Sequence, residues 1–453
     1  MVRENPSPNQ LPASALTFFS EYRLASILSK SRITKKAGVP ALRLFQFLFA
    51  LVFSGRDLSW NLEKERNAGF KKDTVYRFLN ASTHNWRRFL LLLGSAVIAR
   101  MKALTSEDRV DVLIVDDSLY SRNRSKKVEL SARVFDHAAH RFVKGFRMLT
   151  LGWSDGNSFV PLAFSLLSSE KVENRIQEAN PSVNRRTSGY HRRRESMSKA
   201  TVTLFELLEQ AQAMGIQTRV LLFDSWFAFP STILRAVQHK MTVICMLKAL
   251  KTLHYLYDGK KVTLPQLYGL LTKRRGRAKI LASVVVGIGN DENGNEVQAK
   301  IVFVRDRQRS KQWLALLCTD ITMADEEVVR LYGKRWDIEV FFKMVKSHLR
   351  LAKELQGRSY DSMIAHTSIV FARYIYLAVE TRNEQDLRTF GQLFLELCDE
   401  MSDVRYVDII QILLSLLSQA MEQTTDGHVT ILQEALQHFL ACLPSTIKAR
   451  LAA

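Results

Sequence analysis

Residues Val110–Ser121 read VDVLIVDDSLYS, an unbroken apolar run that closes on two adjacent aspartates. A continuous run rather than an alternating one is the mark of a strand buried on both faces. Its polar end predicts a strand that delivers acid to a site. Downstream, FRMLTLGWSD (146–155) and SFVPLAFSLLSS (158–169) flank an Asp155-Gly156-Asn157 turn. Asp-Gly between two apolar runs predicts an antiparallel hairpin. A second short run, Thr218–Phe223, ends at Asp224 and is followed by a helix from Ser231 to His239 and the strand MTVICML. Strands interleaved with helices in this way predict an α/β chain with a mixed sheet.

Around this centre the pattern changes. Residues 14–104 carry apolar positions at helical spacing. Within them AGFKKDTVYRFLNAS (68–82) predicts a short basic helix with Val75, Phe78 and Leu79 inward and Lys71, Lys72, Tyr76 and Arg77 outward. Such an outward face suits DNA phosphates, as in a helix-turn-helix reader, and equally suits water. NRRTSGYHRRRES (184–196) has little to bury and predicts an exposed basic loop, with Arg192, Arg193 and Arg194 as further phosphate contacts. A helix is expected at 197–214, β structure from about 248 to 322 with a turn at Asn293-Gly294-Asn295, and helix from Asp325 onward.

Composition bounds the class. The 453 residues are 47% apolar and 24% charged, which excludes disorder as the main state. Lys and Arg number 65 against 45 Asp and Glu, a formal charge of +20. From residue 384 on there are ten acidic and four basic residues, net −6, so the preceding chain carries +26. A polyanion is drawn to the first four-fifths and repelled from the rest. Cys245, Cys318, Cys398 and Cys442 form no metal pattern and predict reduced thiols in a cytoplasmic protein. The N-terminus shows no apolar signal core, and the greasiest runs, Leu42–Ser54 and Phe89–Ala99, fall short of the roughly 20 residues that span a bilayer. No membrane role is expected, and no nucleotide cofactor, since a GxxxxGK loop is missing.

Asp116 and Asp224 each close an apolar run and are followed within two residues by Ser118 and Ser225. Glu339 lies far along in LYGKRWDIEVFFKMVKSHLRL (331–351). Carboxylates from two strand ends and a helix suit divalent cations, which leave open positions for water and phosphate. Tyr332, Arg335, Glu339 and Lys346 are spaced by two, three and six intervening residues. On one continuous helix they would share a face carrying a phenol, a guanidinium, a carboxylate and an ammonium. At the first position Asp116 and Asp117 compete, because alternation along a strand lets only one face the cations.

This pattern resembles the DDE transposases of insertion-sequence family four, whose signature is Y-(2)-R-(3)-E-(6)-K. The resemblance covers most of residues 106–380 and implies a ribonuclease-H-like core with a β-rich insertion between the second Asp and the Glu. It implies Asp116, Asp224 and Glu339 as catalytic ligands of two Mg²⁺ ions, with Mn²⁺ as a substitute. The Asp-x-Ser step favours Asp116 over Asp117. Tyr332, Arg335 and Lys346 would contact the DNA end, and Trp313, 19 residues before Tyr332, would stack a flipped base; Trp226 is a second candidate. The implied organisation is a helical DNA-binding region 1–105, core segments 106–247 and 326–383 around an insertion at 248–325, and an acidic helical tail 384–453 for protein contacts. The implied enzyme is a bacterial, nucleoid-associated homodimer on double-stranded DNA. It would bind terminal inverted repeats, nick, excise through a hairpin and transfer strands. The competing expectations are a ribonuclease-H-fold nuclease without strand transfer, and an inactive DNA-binding relative.

Overall fold

The computed structural model describes residues 11–54, 70–104, 109–306, 312–383 and 389–400, except single positions at 138, 275, 277 and 356, together with Gln437. The expected acidic tail therefore lies largely outside the described residues.

The N-terminal region is helical as expected: α1 (Ala13–Glu21), α2 (Leu24–Lys30), α3 (Ala41–Ala50), α4 (Lys72–Leu79) and α5 (Trp86–Ala103). Phe18, Phe19, Phe45 and Phe49 from α1 and α3 bury edge-on and tilted against one another. Helix α4 buries Val75, Phe78 and Leu79 and exposes Lys71, Lys72 and Arg77. Asn85 starts α5 by accepting the Arg88 N–H at 3.0 Å, a bond that satisfies one orphan donor of the first turn.

One large mixed sheet follows. Its strands are β1 (Val112–Ser121), β2 (Ala132–Asp136), β3 (Arg141–Ser154), β4 (Phe159–Leu167), β5 (Val220–Phe223) and β6 (Thr242–Leu247). They continue with β7 (Tyr255–Tyr257), β8 (Lys260–Val262), β9 (Ile280–Asn290), β10 (Glu296–Arg305) and β11 (Trp313–Cys318). The order runs β2-β3-β1-β5-β6-β11-β10-β9-β7-β8, with β4 also on β3. Antiparallel β4, β3 and β1 beside parallel β1, β5 and β6 make a ribonuclease-H-like core. The β-rich stretch does not stand apart: β11 pairs antiparallel with β6, so the core sheet runs on into it. The predicted β3–β4 hairpin is present. Asp155 Oδ1 accepts the N–H groups of Asn157 and Ser158 at 2.9 and 2.8 Å, and Gly156 takes the φ of +90° that the turn requires.

The remaining helices are α6 (Ser188–Ser196), α7 (Ala200–Ala213), α8 (Pro230–Gln238), α9 (Leu264–Leu270), α10 (Asp325–Gly333), α11 (Trp336–Ser347) and α12 (Tyr360–Asn383). Two expectations are corrected. The basic stretch at 184–196 is a helix over most of its length rather than an exposed loop. Arg193 and Glu195 find buried ionic partners, and Thr187 caps the Tyr190 N–H, so ordering is repaid. Also, Tyr360–Arg382 is long and apolar enough to cross a bilayer and was missed as such. It lies wholly buried in the fold. There Arg373 donates to Phe49 O at 3.0 Å and to Glu354 at 2.9 Å, which fixes the N-terminal helices to the core.

Candidate active site

The site grows out of the register between β1 and β5. Val115 pairs with Phe223, so Asp116 and Asp224 follow side by side where the parallel pairing ends. Ligand sites in open α/β sheets form at such carboxyl ends. Asp116 is nevertheless not the last residue of its strand, because β1 runs on to Ser121 against β3. Alternation turns Asp117 to the opposite face, where Arg147 takes it at 3.2 Å. Burial, then the nearby Asp224, push the Asp116 carboxyl up to about 7; the Arg335 guanidinium works the other way. Asp117 is also raised, chiefly by burial, with Arg147 opposing. Asp224 Oδ1 accepts the Trp226 N–H at 2.9 Å, a turn that fixes the carboxylate at the strand's end.

The expected single helix carrying Tyr332, Arg335, Glu339 and Lys346 is two helices. Tyr332 is in α10, Arg335 lies in the link, and Glu339 and Lys346 are on α11. In the link the N–H groups of Lys334, Arg335 and Asp337 each reach back three residues, at 3.0 Å, a tight turn in place of an α-turn. Buried Lys334 supplies the reason: its Nζ donates to the carbonyls of Val110 and Asp155, at 2.5 and 3.0 Å, and holds the link onto the sheet.

The break does not scatter the four residues. Arg335 Nη1 donates to Asp116 Oδ2 at 2.9 Å, while Nη2 donates to Glu339 Oε1. The Tyr332 ring lies 6.0 Å from that guanidinium, and burial raises its hydroxyl. Lys346 Nζ donates to Ser118 Oγ, two residues along β1, and burial lowers its ammonium. Asp116, Asp224, Arg335 and Glu339 thus form one cluster, with Tyr332 and Lys346 at its margins.

Two of the three carboxylates fit a divalent cation well. Asp224 crowds Asp116, and an added cation would relieve that carboxyl. Glu339 is one guanidinium further out, since Arg335 occupies the space that a shared cation would bridge. Accordingly no group of three acidic, His or Cys residues converges on one point among the described residues. Carboxylate oxygens of this kind are the hard donors that divalent cations such as Mg²⁺ take, and here Arg335 stands between Asp116 and Glu339.

The aromatic candidates divide. Trp313 is half-buried at the start of β11, stacked on Tyr268 at 4.9 Å and edge-on to Phe303 at 5.2 Å. Trp226, next but one to Asp224, is 49% exposed, with Lys248 Nζ 5.4 Å from its ring centre. Trp336, beside Arg335, is 62% exposed; the sequence reading passed over it because it falls inside the motif. Among the basic candidates, Lys71, Lys72, Arg77 and Arg194 are exposed, whereas Arg192 and Arg193 are buried. Arg193 is fully engaged by Glu129, Asp361 and Gly189 O.

A ribonuclease-H-like core that sets Asp116 beside Asp224 where its parallel pairing stops, with Arg335 and Lys346 close by, suits phosphoryl chemistry. Comparison with known families agrees. The DDE superfamily endonuclease profile matches residues 47–281, and the transposase DDE domain profile matches residues 192–375. The first spans more than half of the chain, so the protein belongs to the DDE superfamily of endonucleases; over 192–375 it is also similar to transposase DDE domains. No curated protein matches the chain.

Proposed function

We propose that the protein is the transposase of a bacterial insertion sequence of family four, acting on its own terminal inverted repeats. The observation that carries this is the β1–β5 register that sets Asp116 beside Asp224, with Arg335 joining Glu339 to them. Asp116, Asp224 and Glu339 would hold two Mg²⁺ ions, or Mn²⁺, which when bound activate water and offset charge on the reacting phosphate. Arg335, no longer needed between the carboxylates, turns its planar fork to a DNA phosphate. Lys346 adds a point charge, and Tyr332 supports the guanidinium from the side. The exposed cations of α4 and Arg194 contact phosphates further along the duplex.

The reaction is nicking at the element's end, attack of the freed 3′-OH on the opposite strand to close a hairpin, hydrolytic reopening, and joining to target DNA. A homodimer that pairs two ends, associated with the nucleoid, completes the reading. Trp226 takes over from Trp313 as the surface for a flipped base, because Trp313's face is already covered by Tyr268.

The test is a labelled fragment bearing the gene's flanking ends, incubated with protein and Mg²⁺ and run on a denaturing gel beside Glu339→Gln. A Mg²⁺-dependent nick followed by a double-length snap-back product is expected, with neither from the variant. A nick with no double-length product would remove the hairpin. Equal cutting by Glu339→Gln would remove the site.

A further inference from the structure

Strand β2 stands at the edge of the sheet, and with the first part of β3 it makes a two-stranded arm. Alternation gives the arm two unlike faces. On one, Ala132 and Val134 with Val143 and Gly145 are buried. The other carries two cross-strand pairs, Arg133 opposite Lys144 and Phe135 opposite Phe142. Phe142 is 60% exposed and Phe135 is half-buried. Among the described residues neither the Arg133 nor the Lys144 side chain has a hydrogen bond or an ion pair. Like charges directly opposite on a ribbon repel. Such a pair beside two open rings does little for the fold, and it suits a ligand that brings both anions and flat apolar planes.

The line of rings continues beyond the arm. Phe142 lies 5.2 Å from Phe135, Phe135 lies 5.1 Å from His137, and His137 lies 6.2 Å from Trp226, next but one to Asp224. All three contacts are edge-on, so none of these rings is lost beneath a parallel plane. Cations accompany the rings: the Arg133 guanidinium is 5.4 Å from the centre of Phe142, and Lys248 Nζ is 5.4 Å from that of Trp226. Residues 132–147 hold four Lys and Arg against one carboxylate, Asp136. That carboxylate belongs to the opposite pleat and accepts the Ala139 N–H at 3.1 Å.

We infer that the outer face of this arm binds an unpaired DNA strand, with bases stacked on Phe142 and Phe135 and phosphates on Arg133 and Lys144, and leads it past Trp226 to the carboxylate cluster. Every base has a π-face, so the site tolerates any sequence. A duplex offers the same phosphates but keeps its base planes against one another, and the aromatic pair therefore selects the unpaired strand. That the strand is DNA and that it ends at a cutting site rest on the function proposed above. The stacking face itself does not.

The test is fluorescence anisotropy of a labelled thymidine oligomer of about 12 bases, and of a 20-base-pair duplex, titrated with the full chain in EDTA. Phe142→Ala is expected to weaken the oligomer roughly 5- to 100-fold, the worth of one stacked base, and the duplex by less than about twofold. Phe142→Trp is expected to keep oligomer binding. Lys144→Gln is expected to reduce the slope of log affinity against log salt for the oligomer by about 0.7, one phosphate contact on a single strand. The last two variants decide the matter even if Phe142→Ala melts early. Oligomer binding unchanged in Phe142→Ala, or oligomer and duplex weakened equally, would overturn the proposal. So would a dimer in sedimentation that Phe142→Ala dissolves while the oligomer still binds, since the arm would then join two copies of the chain. Oligomer binding lost in Phe142→Ala together with cutting retained by Glu339→Gln would sink the transposase reading and leave this one standing. The opposite pair of results would sink this one alone.

Discussion

The carboxylates of Asp116, within β1, and Asp224, just past β5, and the ion network beneath α6 use the same residue types to opposite effect. Glu129 accepts from Arg193 Nε and Nη2 at 2.6 and 3.0 Å and from the N–H groups of Tyr360 and Asn180, both at 2.7 Å. Burial alone would raise it, yet Arg193 and the backbone donors hold it below the usual carboxylate range. Asp116 is half-buried like Glu129, but its strongest neighbour after burial is another anion, and it is pushed up to about 7. Where every lone pair is met, charge serves the fold. Where anions face each other across a single shared guanidinium, the site is poised for cations from outside.

Two substitutions break this comparison at its strongest points. Asp224→Asn leaves Asp116 without its crowding anion. Cleavage is expected to fall on the order of 10³-fold, several kcal/mol of transition-state stabilisation, with DNA binding kept and thermal stability not reduced. Glu129→Gln strips Arg193 of its main partner while the guanidinium stays buried. A loss of about 3–5 kcal/mol in chemical denaturation is expected, with cleavage per folded molecule retained. If Asp224→Asn unfolded the protein and Glu129→Gln left stability unchanged, the two regions would have their roles exchanged.

A pH titration sharpens the contrast. Asp116 ionises near 7 in the fold against 3.8 in an unfolded chain, so between those values the folded state holds more protons. Metal-free stability then falls as pH rises from about 4 to 7 on account of this group. Asp116→Asn removes the dependence: its stability relative to wild type is expected to rise across that window by an amount of order 2 kcal/mol and to level above it. Glu129 acts in the opposite sense, with its contribution present above about 4.5 and lost as pH falls through its lowered folded value. A flat difference between wild type and Asp116→Asn over pH 4–7 would remove the crowding argument.

Much of this was legible in the chain. The apolar runs of β1, β5 and β6, the Asp-Gly hairpin and the inward face of α4 follow from local pattern, and they suffice for the sheet's core. Asp116 and Asp224 lie side by side, and Glu339 reaches Asp116 only through Arg335, on two helices where the spacing predicts one. The rest depended on partners distant in sequence. The break between α10 and α11 is set by Lys334 reaching Val110 and Asp155, and no local feature announces it. Helix α6 looked too polar to order because its charges are paid back by Glu129, Arg87 and Asp361. Strand β2 is only five residues long, and pairing with β3 rather than its own pattern makes it a strand.

The smallest effects belong to the tryptophans, and they separate packing from recognition. Trp313 packs against Tyr268 of α9 and Phe303 of β10, so Trp313→Ala deletes aromatic contacts between that helix and the sheet. A stability loss is expected, with any loss of activity following the folded fraction. Trp226 has half its surface free beside Asp224, and its ring is approached by Lys248 rather than by another aromatic plane except the edge of His137 at 6.2 Å. Trp226→Ala is therefore expected to leave the melting temperature within a degree or two and to weaken hold on an unpaired base by roughly 1–3 kcal/mol, the worth of one stacking contact. Fluorescence titration with duplexes carrying or lacking an unpaired base at the element's end reads this directly. Equal weakening for both duplexes would make Trp226 a general DNA contact. A defect confined to Trp313→Ala would return the stacking role to β11, and would require Tyr268 to give up the face it now covers.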